Sequence, residues 1–308
     1  MSNLVVPQQA GEYESAAWEG AAEIKPWQYP VQLVVPHMGW VEPLRKSLEL
    51  WQRQSVKPYI CIVDTGSEWD YLQELESLRC ENVEVHYLRG HGYRHASEPV
   101  SAALDFAAAR CQQTYQFQTH SDVFPMRRDL LESYMEVVSE KTPVAGYQIS
   151  GRSHVKGAMR FLWPGMVGHT ATCLYFPTIR DMGITWSLDR GFSQFKEIGR
   201  DERSDTDTEI PFNMHLRAAG ITPILLGNDN NWVRDRNADF DHCRSFTSSS
   251  LYSEAHFDQA KEWIAAAMVD ATQRAKEWDD ASIRVPESSG EYSGKECLRD
   301  RECGCRSI

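Results

Sequence analysis

Three carboxylates in the sequence lie near the end of a predicted strand or the start of a predicted helix, where a side chain can contact a ligand. Asp64 and Asp122 each follow a short apolar run, and Asp207 stands just before a stretch of helical periodicity. A carboxylate at the end of a strand can accept a hydrogen bond from a ligand or give an oxygen to a hard divalent cation. Each also has an ordinary structural interpretation, because Asp caps turns and helices and acidic residues complement the helix dipole.

Three histidines stand close to the same points. His37 follows the first apolar run, His120 lies two residues before Asp122, and His242 occurs late in the chain. A neutral imidazole nitrogen can bind a metal, whereas a lone histidine is more often a surface or core-edge residue. The residue types alone leave both interpretations open.

The elements that would position these residues alternate between strand and helix. Apolar runs predict strands, and apolar residues recurring at three and four positions predict helices between them. The predicted strands are 31–35, 59–63, 83–88 and 115–119, and the predicted helices are 41–54 and 98–110. This alternation predicts an α/β fold with a mostly parallel sheet flanked by helices. Because ligands bind outside the carboxyl ends of such strands, His37, Asp64 and Asp122 are expected on one rim.

The second half of the chain is less regular. Its predicted strands are 146–149, 171–176 and 222–226, and its predicted helices are 209–219 and a late helix over 257–278. We expect three regions: an N-terminal arm (1–27), a single α/β domain (28–280) and a polar tail (281–308).

Composition limits the class of partner. A chain of 308 residues with a hydrophobic fraction of 42% can bury a sizeable core. Its net charge of -12 repels phosphate polymers, so DNA or RNA would need a local basic patch. The sequence has no apolar run long enough to span a bilayer and no basic, apolar leader at its start, so a cytoplasmic location is expected.

Cysteine usage predicts a reduced protein. Four of the eight cysteines lie in apolar segments, where a thiol packs as a small hydrophobe: Cys61, Cys80, Cys111 and Cys173. Cys297, Cys303 and Cys305 cluster in the tail and would bind zinc if His242 or Cys243 came near. Their spacing fits no common zinc pattern, which favours a loose tail.

The order of these motifs resembles glycosyltransferase family 2, whose members have the Rossmann-like GT-A fold. The resemblance begins with VQLVVPHMGWVEPLRKSLELWQRQSVKPYICIVDTGS, continues through SAALDFAAARC and QTHSDVFPMRRDLL, and extends more loosely over 145–245. It implies a metal-dependent enzyme that moves a sugar from a nucleoside-diphosphate donor, a UDP-sugar, to an acceptor hydroxyl with inversion. It also implies that 28–140 binds the nucleotide sugar and 141–280 the acceptor.

The resemblance implies a role for the residues at each strand end. Asp64 is expected to contact the nucleoside of the donor, with Pro36 and His37 lining the same pocket. His120 replaces the first carboxylate of the family's Asp-x-Asp motif, so it is expected, with Ser121, to contact the ribose or phosphates of the donor.

The metal and the catalytic base are implied in the same way. Asp122 is the metal-binding carboxylate of the motif, and His242 completes a site for Mn²⁺ or Mg²⁺ on the diphosphate. Asp207 in the acidic stretch before the helix at 209–219 is the general base on the acceptor hydroxyl, with Glu209 as its substitute.

Other functions stay open. A sugar nucleotidyltransferase shares this chemistry but normally has a Gly-rich phosphate loop that is missing after the first strand, and His120 in place of Asp would suit a catalytically degenerate binding protein. The acceptor is a saccharide, a protein side chain or a hydroxymethylated base in DNA. Five residues between the predicted strands 146–149 and 171–176 form either an acceptor surface or ordinary surface and packing: Arg152, His154, Lys156, Arg160 and Trp163.

Overall fold

The computed structural model describes residues 25–88, 97–149, 165–186, 208–229, 234–243 and 254–283. Within these ranges the chain forms a main sheet of seven strands and a small sheet of three. Helices pack on both faces of the main sheet. The expected α/β class with a mostly parallel sheet is therefore confirmed.

The strands of both sheets are numbered in chain order. They are β1 (Val31–His37), β2 (Tyr59–Asp64), β3 (Val83–Tyr87), β4 (Tyr115–Thr119), β5 (Val123–Pro125), β6 (Val144–Ile149), β7 (Val167–Tyr175), β8 (Ile224–Asp229), β9 (Asp235–Arg236) and β10 (Phe240–His242). The main sheet has the order β3-β2-β1-β4-β7-β6-β8, and the small sheet has the order β5-β10-β9.

The strand order of the main sheet reverses beside β1, and the edge of the sheet at this point is here called the cleft. Six strands run the same way, and β7 alone among the seven runs antiparallel to its neighbours β4 and β6. β2 and β3 are added in turn on one side of β1, and β4 is then added on the other side of β1. The strand order therefore reverses between β1 and β4. Pairing of β1 with β4 extends only to Val34 and Gln118. The last residues of both strands are therefore free to diverge, which is the usual place for a ligand in an open α/β sheet.

The helices complete the layers. They are α1 (Val41–Trp51), α2 (Trp69–Glu76), α3 (Ser97–Arg110), α4 (Leu130–Val137), α5 (Phe176–Asp181), α6 (Glu209–Ala218) and α7 (Glu254–Ile283), and a 3₁₀ turn at Pro26–Gln28 precedes β1. On one face of the sheet, α1 buries Leu44, Leu48 and Trp51. On the other face, α3 buries Ala103 and Leu104. These apolar positions recur at helical spacing, which is the reason the sequence indicated both helices.

The long helix α7 braces the small sheet from outside. Its residues Ile264 and Ala271 pack with Leu50 of α1 and Phe124 of β5. At its far end, Asp279 accepts two hydrogen bonds from the Arg53 guanidinium, at 2.8 and 3.0 Å. This two-bond contact joins the end of α7 to the residues that follow α1.

The buried Arg274 joins α7 to the small sheet directly. Its Nη1 donates a hydrogen bond to the carbonyl oxygen of Pro125, at 3.2 Å. Burial lowers the pKa of this guanidinium. The contact ties the helix to the end of β5.

Several predicted boundaries were wrong. β1 continues through Pro36 to His37; Pro36 lies beyond the residues that pair with β4, so its missing N–H costs no hydrogen bond on that side. β7 begins at Val167 instead of residue 171. The small sheet was not predicted at all, because strands of two or three residues are too short to show a periodic pattern.

The five cysteines in the described ranges are free, and Cys80 is exposed where packing was expected. Among the described helices, none combines the length and the apolar character that crossing a bilayer requires.

Phe117 provides a test of the core beneath the cleft. Its ring is fully buried, with centroids 5.5 Å from Trp51 and 5.2 Å from Tyr134. We expect Phe117→Ala to lower the free energy of unfolding by about 3–5 kcal/mol, because the site cannot collapse around the lost ring. Urea unfolding followed by circular dichroism measures this. Val269→Ala is the control; Val269 is 70% exposed on α7, so its change is expected within about 0.5 kcal/mol. Equal losses in the two variants would contradict this packing.

Candidate functional site

The turns after β1 and β2 are tied to each other. The Asp64 carboxylate accepts hydrogen bonds from the Ser67 backbone N–H, at 3.2 and 3.3 Å, and from the Ser67 hydroxyl. The Ser67 Oγ in turn accepts a hydrogen bond from the Gly39 N–H, at 2.7 Å. Gly39 has a φ of +93°, a conformation that a side chain would disfavour. The turn-capping interpretation of Asp64 is therefore confirmed, and its predicted contact with a donor nucleoside stays a prediction.

His37 presents an unsatisfied nitrogen at the end of β1. The side chain is 2% exposed, and its Nε2 lies 3.2 Å from the carbonyl oxygen of Gly39, which can only accept. Burial lowers the pKa of His37 to about 4, although the Gly39 contact and the charge of Asp122 oppose the shift. The ring is thus neutral at pH 7, with its hydrogen on Nε2. Its buried Nδ1 has no hydrogen-bond partner among the described residues and is left as an acceptor.

The turn after β4 is held in place by the small sheet. β5 pairs antiparallel with β10 so that Val123 lies opposite His242. The Cys243 N–H also donates to the carbonyl oxygen of Asp122, at 3.1 Å. This pairing brings Asp122 and His242, which are distant in the chain, to the same place. Asp122 is not an N-cap, because α4 begins only at Leu130 and is preceded by Asp129.

Three side chains converge at this turn in a geometry that could hold a metal ion, and they are here called the metal cluster. One ligand atom from each of His120, Asp122 and His242 lies within 4.8 Å of the others. The His242 Nε2 is 3.5 Å from Asp122 Oδ1, and the His120 and His242 rings meet edge to face with centroids 5.0 Å apart. Asp122 and His242 are buried, at 5% and 2% exposure. His120, expected to contact the donor, therefore lies with the predicted metal ligands.

The donor types of this cluster fit a divalent transition metal. Two imidazoles and one carboxylate suit Mn²⁺ and its neighbours in the first row better than Mg²⁺ or Ca²⁺, which prefer oxygen. The His242 Nδ1 is a further indication, since it is buried and makes no hydrogen bond within the described part of the chain.

Alternation along β10 explains why His242 faces the cluster and Asp241 does not. Asp241 is buried but is paired with Arg234, whose Nε lies 2.8 Å from Oδ1 and whose Nη2 contacts Oδ2. Neighbouring residues of a strand point to opposite sides, so this ion pair directs His242 towards Asp122. Cys243 packs with α7, and burial raises the pKa of its thiol.

A third histidine, His169 on β7, lies beside the cluster and was missed by the sequence analysis. Its ring stacks on His120 with centroids 4.2 Å apart and an interplanar angle of 26°. Its Nδ1 lies 2.7 Å from Glu209 Oε1. The sequence analysis began this strand at residue 171 and left His169 in a loop. Had β7 been recognised as antiparallel to β4, its first residues would have been placed at the same rim.

Helix α6 is fixed to β7 by Asn213. The side-chain amide of Asn213 accepts from the Val167 N–H at 2.9 Å and donates to the Val167 carbonyl at 2.8 Å. Phe212 of the same helix stacks on Trp186, with centroids 3.9 Å apart and an angle of 4°. Trp186 meets His169 edge to face at 5.9 Å. The start of α6, where Glu209 lies, is therefore rigidly placed next to the metal cluster.

The remaining predicted site residues divide into two groups. Pro36 and Ser121 are buried at the rim, in β1 and in the turn after β4. Asp207, Trp163, the basic residues of 152–160 and the cysteines of the tail lie outside the described residues. Of the three carboxylates expected around one cleft, two lie near His37. Asp64 is the register partner of His37 on the neighbouring strand, and the charge of Asp122 acts to raise the pKa of His37.

Comparison with known proteins gives similarity in structure alone. No protein-family profile matches the chain, and no curated protein matches its sequence. A mannosyltransferase from Pyrobaculum calidifontis, PcManGT, in complex with GDP-Man and Mn²⁺, is 13% identical with a TM-score of 0.45, over 86% of this chain and 79% of that one. S. aureus TarS is 15% identical with a TM-score of 0.45, over 83% of this chain and 46% of that one. TarS 1–349 in complex with UDP-GlcNAc is 13% identical, with a TM-score of 0.42, over 84% and 74%. Such likenesses carry no residue role over to this chain.

The low pKa of His37 predicts acid sensitivity. The folded-state pKa of about 4 lies below the unfolded value of 6.5, so the unfolded chain takes up the proton first as the pH falls. We expect about 3 kcal/mol of stability to be lost between pH 6.5 and pH 4. Urea unfolding at a series of pH values in EDTA measures this loss. In His37→Asn, which cannot titrate, the loss over this interval is expected to be smaller by that amount. An unchanged pH profile in the variant would rule out this role of His37.

Proposed function

We propose that this chain is a metal-dependent glycosyltransferase that moves a sugar from a nucleoside diphosphate, with UDP as the nucleotide, to an acceptor hydroxyl with inversion. One observation carries the proposal: His120, Asp122 and His242 meet at the carboxyl end of β4, next to the point where the strand order reverses. That is where an open α/β sheet binds a phosphorylated ligand, and the diphosphate of a nucleotide sugar needs a cation there. The resemblance of the sequence to family 2 supports the same reaction.

The metal would be held by Asp122 and His242, with His120 as a third ligand. Bound there, a divalent cation supplies Lewis-acid stabilisation of the charge on the departing nucleoside diphosphate. The pairing of β5 with β10 holds two of the three ligands in place before any ligand arrives. Preorganised ligands of this kind need not be reoriented during the reaction.

The nucleoside would lie over the ends of β1 and β2. The unsatisfied Nδ1 of His37 offers an acceptor to a ribose hydroxyl or a base N–H. Asp64, held by Ser67, would supply negative charge beside it, and Pro36 and Ser121 are proposed to line the same pocket. A neutral His37 suits this role, because a charged ring would have lost the acceptor.

The general base is proposed to be Asp207, immediately before α6. The first residue of that helix, Glu209, is 8% exposed and lies against His169 beside the metal cluster. Glu209 is also the last residue of the acidic stretch in the sequence, which supports a role for that stretch at this edge of the sheet. Glu209 is itself the substitute base. One carboxylate suffices to take the proton of the acceptor hydroxyl as the new glycosidic bond forms.

The acceptor is proposed to be a saccharide or a hydroxymethylated base of DNA. The net charge of -12 favours the saccharide, since a DNA acceptor depends on the basic residues of 152–160 to offset it.

Cation binding tests the metal site. We expect the protein to bind Mn²⁺ more tightly than Mg²⁺ or Ca²⁺, because two of its three ligands are imidazoles. Loss of the free Mn²⁺ signal in electron paramagnetic resonance measures this, with the other cations as competitors. Asp122→Asn and His242→Ala are each expected to weaken Mn²⁺ binding by more than about tenfold. Asp129→Asn removes a neighbouring but exposed carboxylate and is the matched control. Equal Mn²⁺ affinity in Asp122→Asn and Asp129→Asn would remove the site from the proposal.

Turnover of a donor panel tests the reaction. Release of nucleoside diphosphate is measured for UDP- and GDP-sugars with Mn²⁺, first as slow hydrolysis and then against saccharide and hydroxymethylated-DNA acceptors. We expect Asp207→Asn to lower kcat by about 100-fold or more with little change in the donor KM, since a base contributes to the chemical step. A loss confined to Glu209→Gln would assign the base to Glu209.

The same panel separates the competing functions. Pyrophosphate formed from a nucleoside triphosphate and a sugar phosphate would indicate a nucleotidyltransferase. Tight donor binding with no release of nucleoside diphosphate would indicate a degenerate binding protein. Either result would exclude the proposed transferase.

A further inference from the structure

His169 contacts the metal cluster on one side and a buried carboxylate on the other. It stacks on His120, and its Nδ1 is 2.7 Å from Glu209 Oε1. Its side chain is buried, at 6% exposure, and that of Glu209 at 11%. Neither residue has a ligand atom among the three that form the cluster. They are therefore placed to act on the metal through His120.

The ring of His169 is held from several directions. Trp186 meets it edge to face, and Trp186 is itself stacked on Phe212 of α6. Glu209 of the same helix contacts its Nδ1. The rings of Phe212, Trp186, His169, His120 and His242 form a continuous series, here called the ring column, from α6 to the metal cluster.

From this arrangement we infer that His169 is a positioning residue for the metal site, which fixes the plane of the His120 imidazole by stacking and is itself fixed by Glu209 and Trp186. This inference rests on the metal site in the proposed function. An imidazole ligand binds a metal along one in-plane direction, so a ring free to rotate loses affinity. In most metal sites a hydrogen bond to the second ring nitrogen contributes to this orientation, and the stacked His169 ring would contribute to it here.

Two contacts of His169 can be separated by substitution. His169→Gln keeps a polar group near Glu209 but removes the stacked ring. His169→Phe combined with Glu209→Gln keeps a stacked ring and leaves no buried carboxylate without a partner. If stacking positions His120, the second variant retains the Mn²⁺ affinity of the site and the first has a lower Mn²⁺ affinity.

Mn²⁺ affinity, measured by electron paramagnetic resonance, is the first readout. We expect His169→Gln to weaken Mn²⁺ binding about tenfold, within the range for residues that support a ligand without touching the metal. The double variant with Phe is expected to stay within about threefold of the unsubstituted protein, because the stacked ring is kept. Thermal unfolding is recorded for each variant. The inference would be overturned if the loss of Mn²⁺ affinity across the variants followed their loss of thermal stability, whether or not the stacked ring is present.

The state of His120 in the metal-free protein is the second readout. Carbon-detected spectra of the histidine rings are expected to show one ordered His120 ring in the unsubstituted protein and in the Phe variant, and a broadened signal in His169→Gln. An equally ordered His120 in all three would overturn the positioning role. This measurement needs neither metal nor donor. If the protein binds no Mn²⁺ at all, the proposed function fails, and the spectra still decide whether His169 orders His120.

Discussion

The short antiparallel pairing of β5 with β10 is the constraint on which the candidate site depends. Asp122 and His242 are distant in the sequence, and a pairing of only three residues from each strand brings them together. So few hydrogen bonds are a weak connection in isolation, and a two-stranded pair is marginal in water. The stability of the pair comes from its surroundings: Phe124 and Phe240 are fully buried, and Cys243 packs with α7. The site is built from a local pairing that the core stabilises.

The antiparallel direction of β7 places its first residues beside the carboxyl end of β4. In a fully parallel sheet, the strand beside β4 would bring its carboxyl end to this rim; β7 brings its first residues instead. His169 and Val167 therefore lie where the chain enters the strand, and α6 is attached to them through Glu209 and Asn213. As a result, the ring column connects α6 to the turn after β4 and to β10 at a single edge of the sheet.

The parts of the fold that could be predicted from the sequence are those with repeated local patterns. β2, β4, α1 and α3 each contain enough apolar residues at regular spacing to be placed within a few residues of their observed bounds. The rim residues His37, Asp64 and Asp122 followed from those strands, because the carboxyl ends of parallel strands share an edge. His242 depended on the family resemblance, since β10 is too short to have a pattern of its own. His169 was missed for a different reason: its role depends on the direction of β7, and strand direction leaves no mark in the sequence near it. The proximity of His120 to Asp122 and His242 could not be predicted either, because the spacing of residues in the sequence does not determine how a side chain is oriented in a turn.

Helix α7 contributes no ligand, yet it holds the strand that provides His242. Its contacts with the small sheet, from Ile264 to the Arg274 hydrogen bond on Pro125, are separate from the two cores that stabilise the seven-stranded sheet. Proteins open in cooperative units smaller than the whole domain, and elements with their own small core are natural units of this kind. Partial detachment of α7 would then uncover Phe124 and Cys243 and loosen the small sheet, while Phe240 still holds β10 against the core of the large sheet. Amide hydrogen exchange in such a molecule would be faster in β10 than in β1. Because β10 provides His242, the cation would dissociate at the rate at which β10 opens.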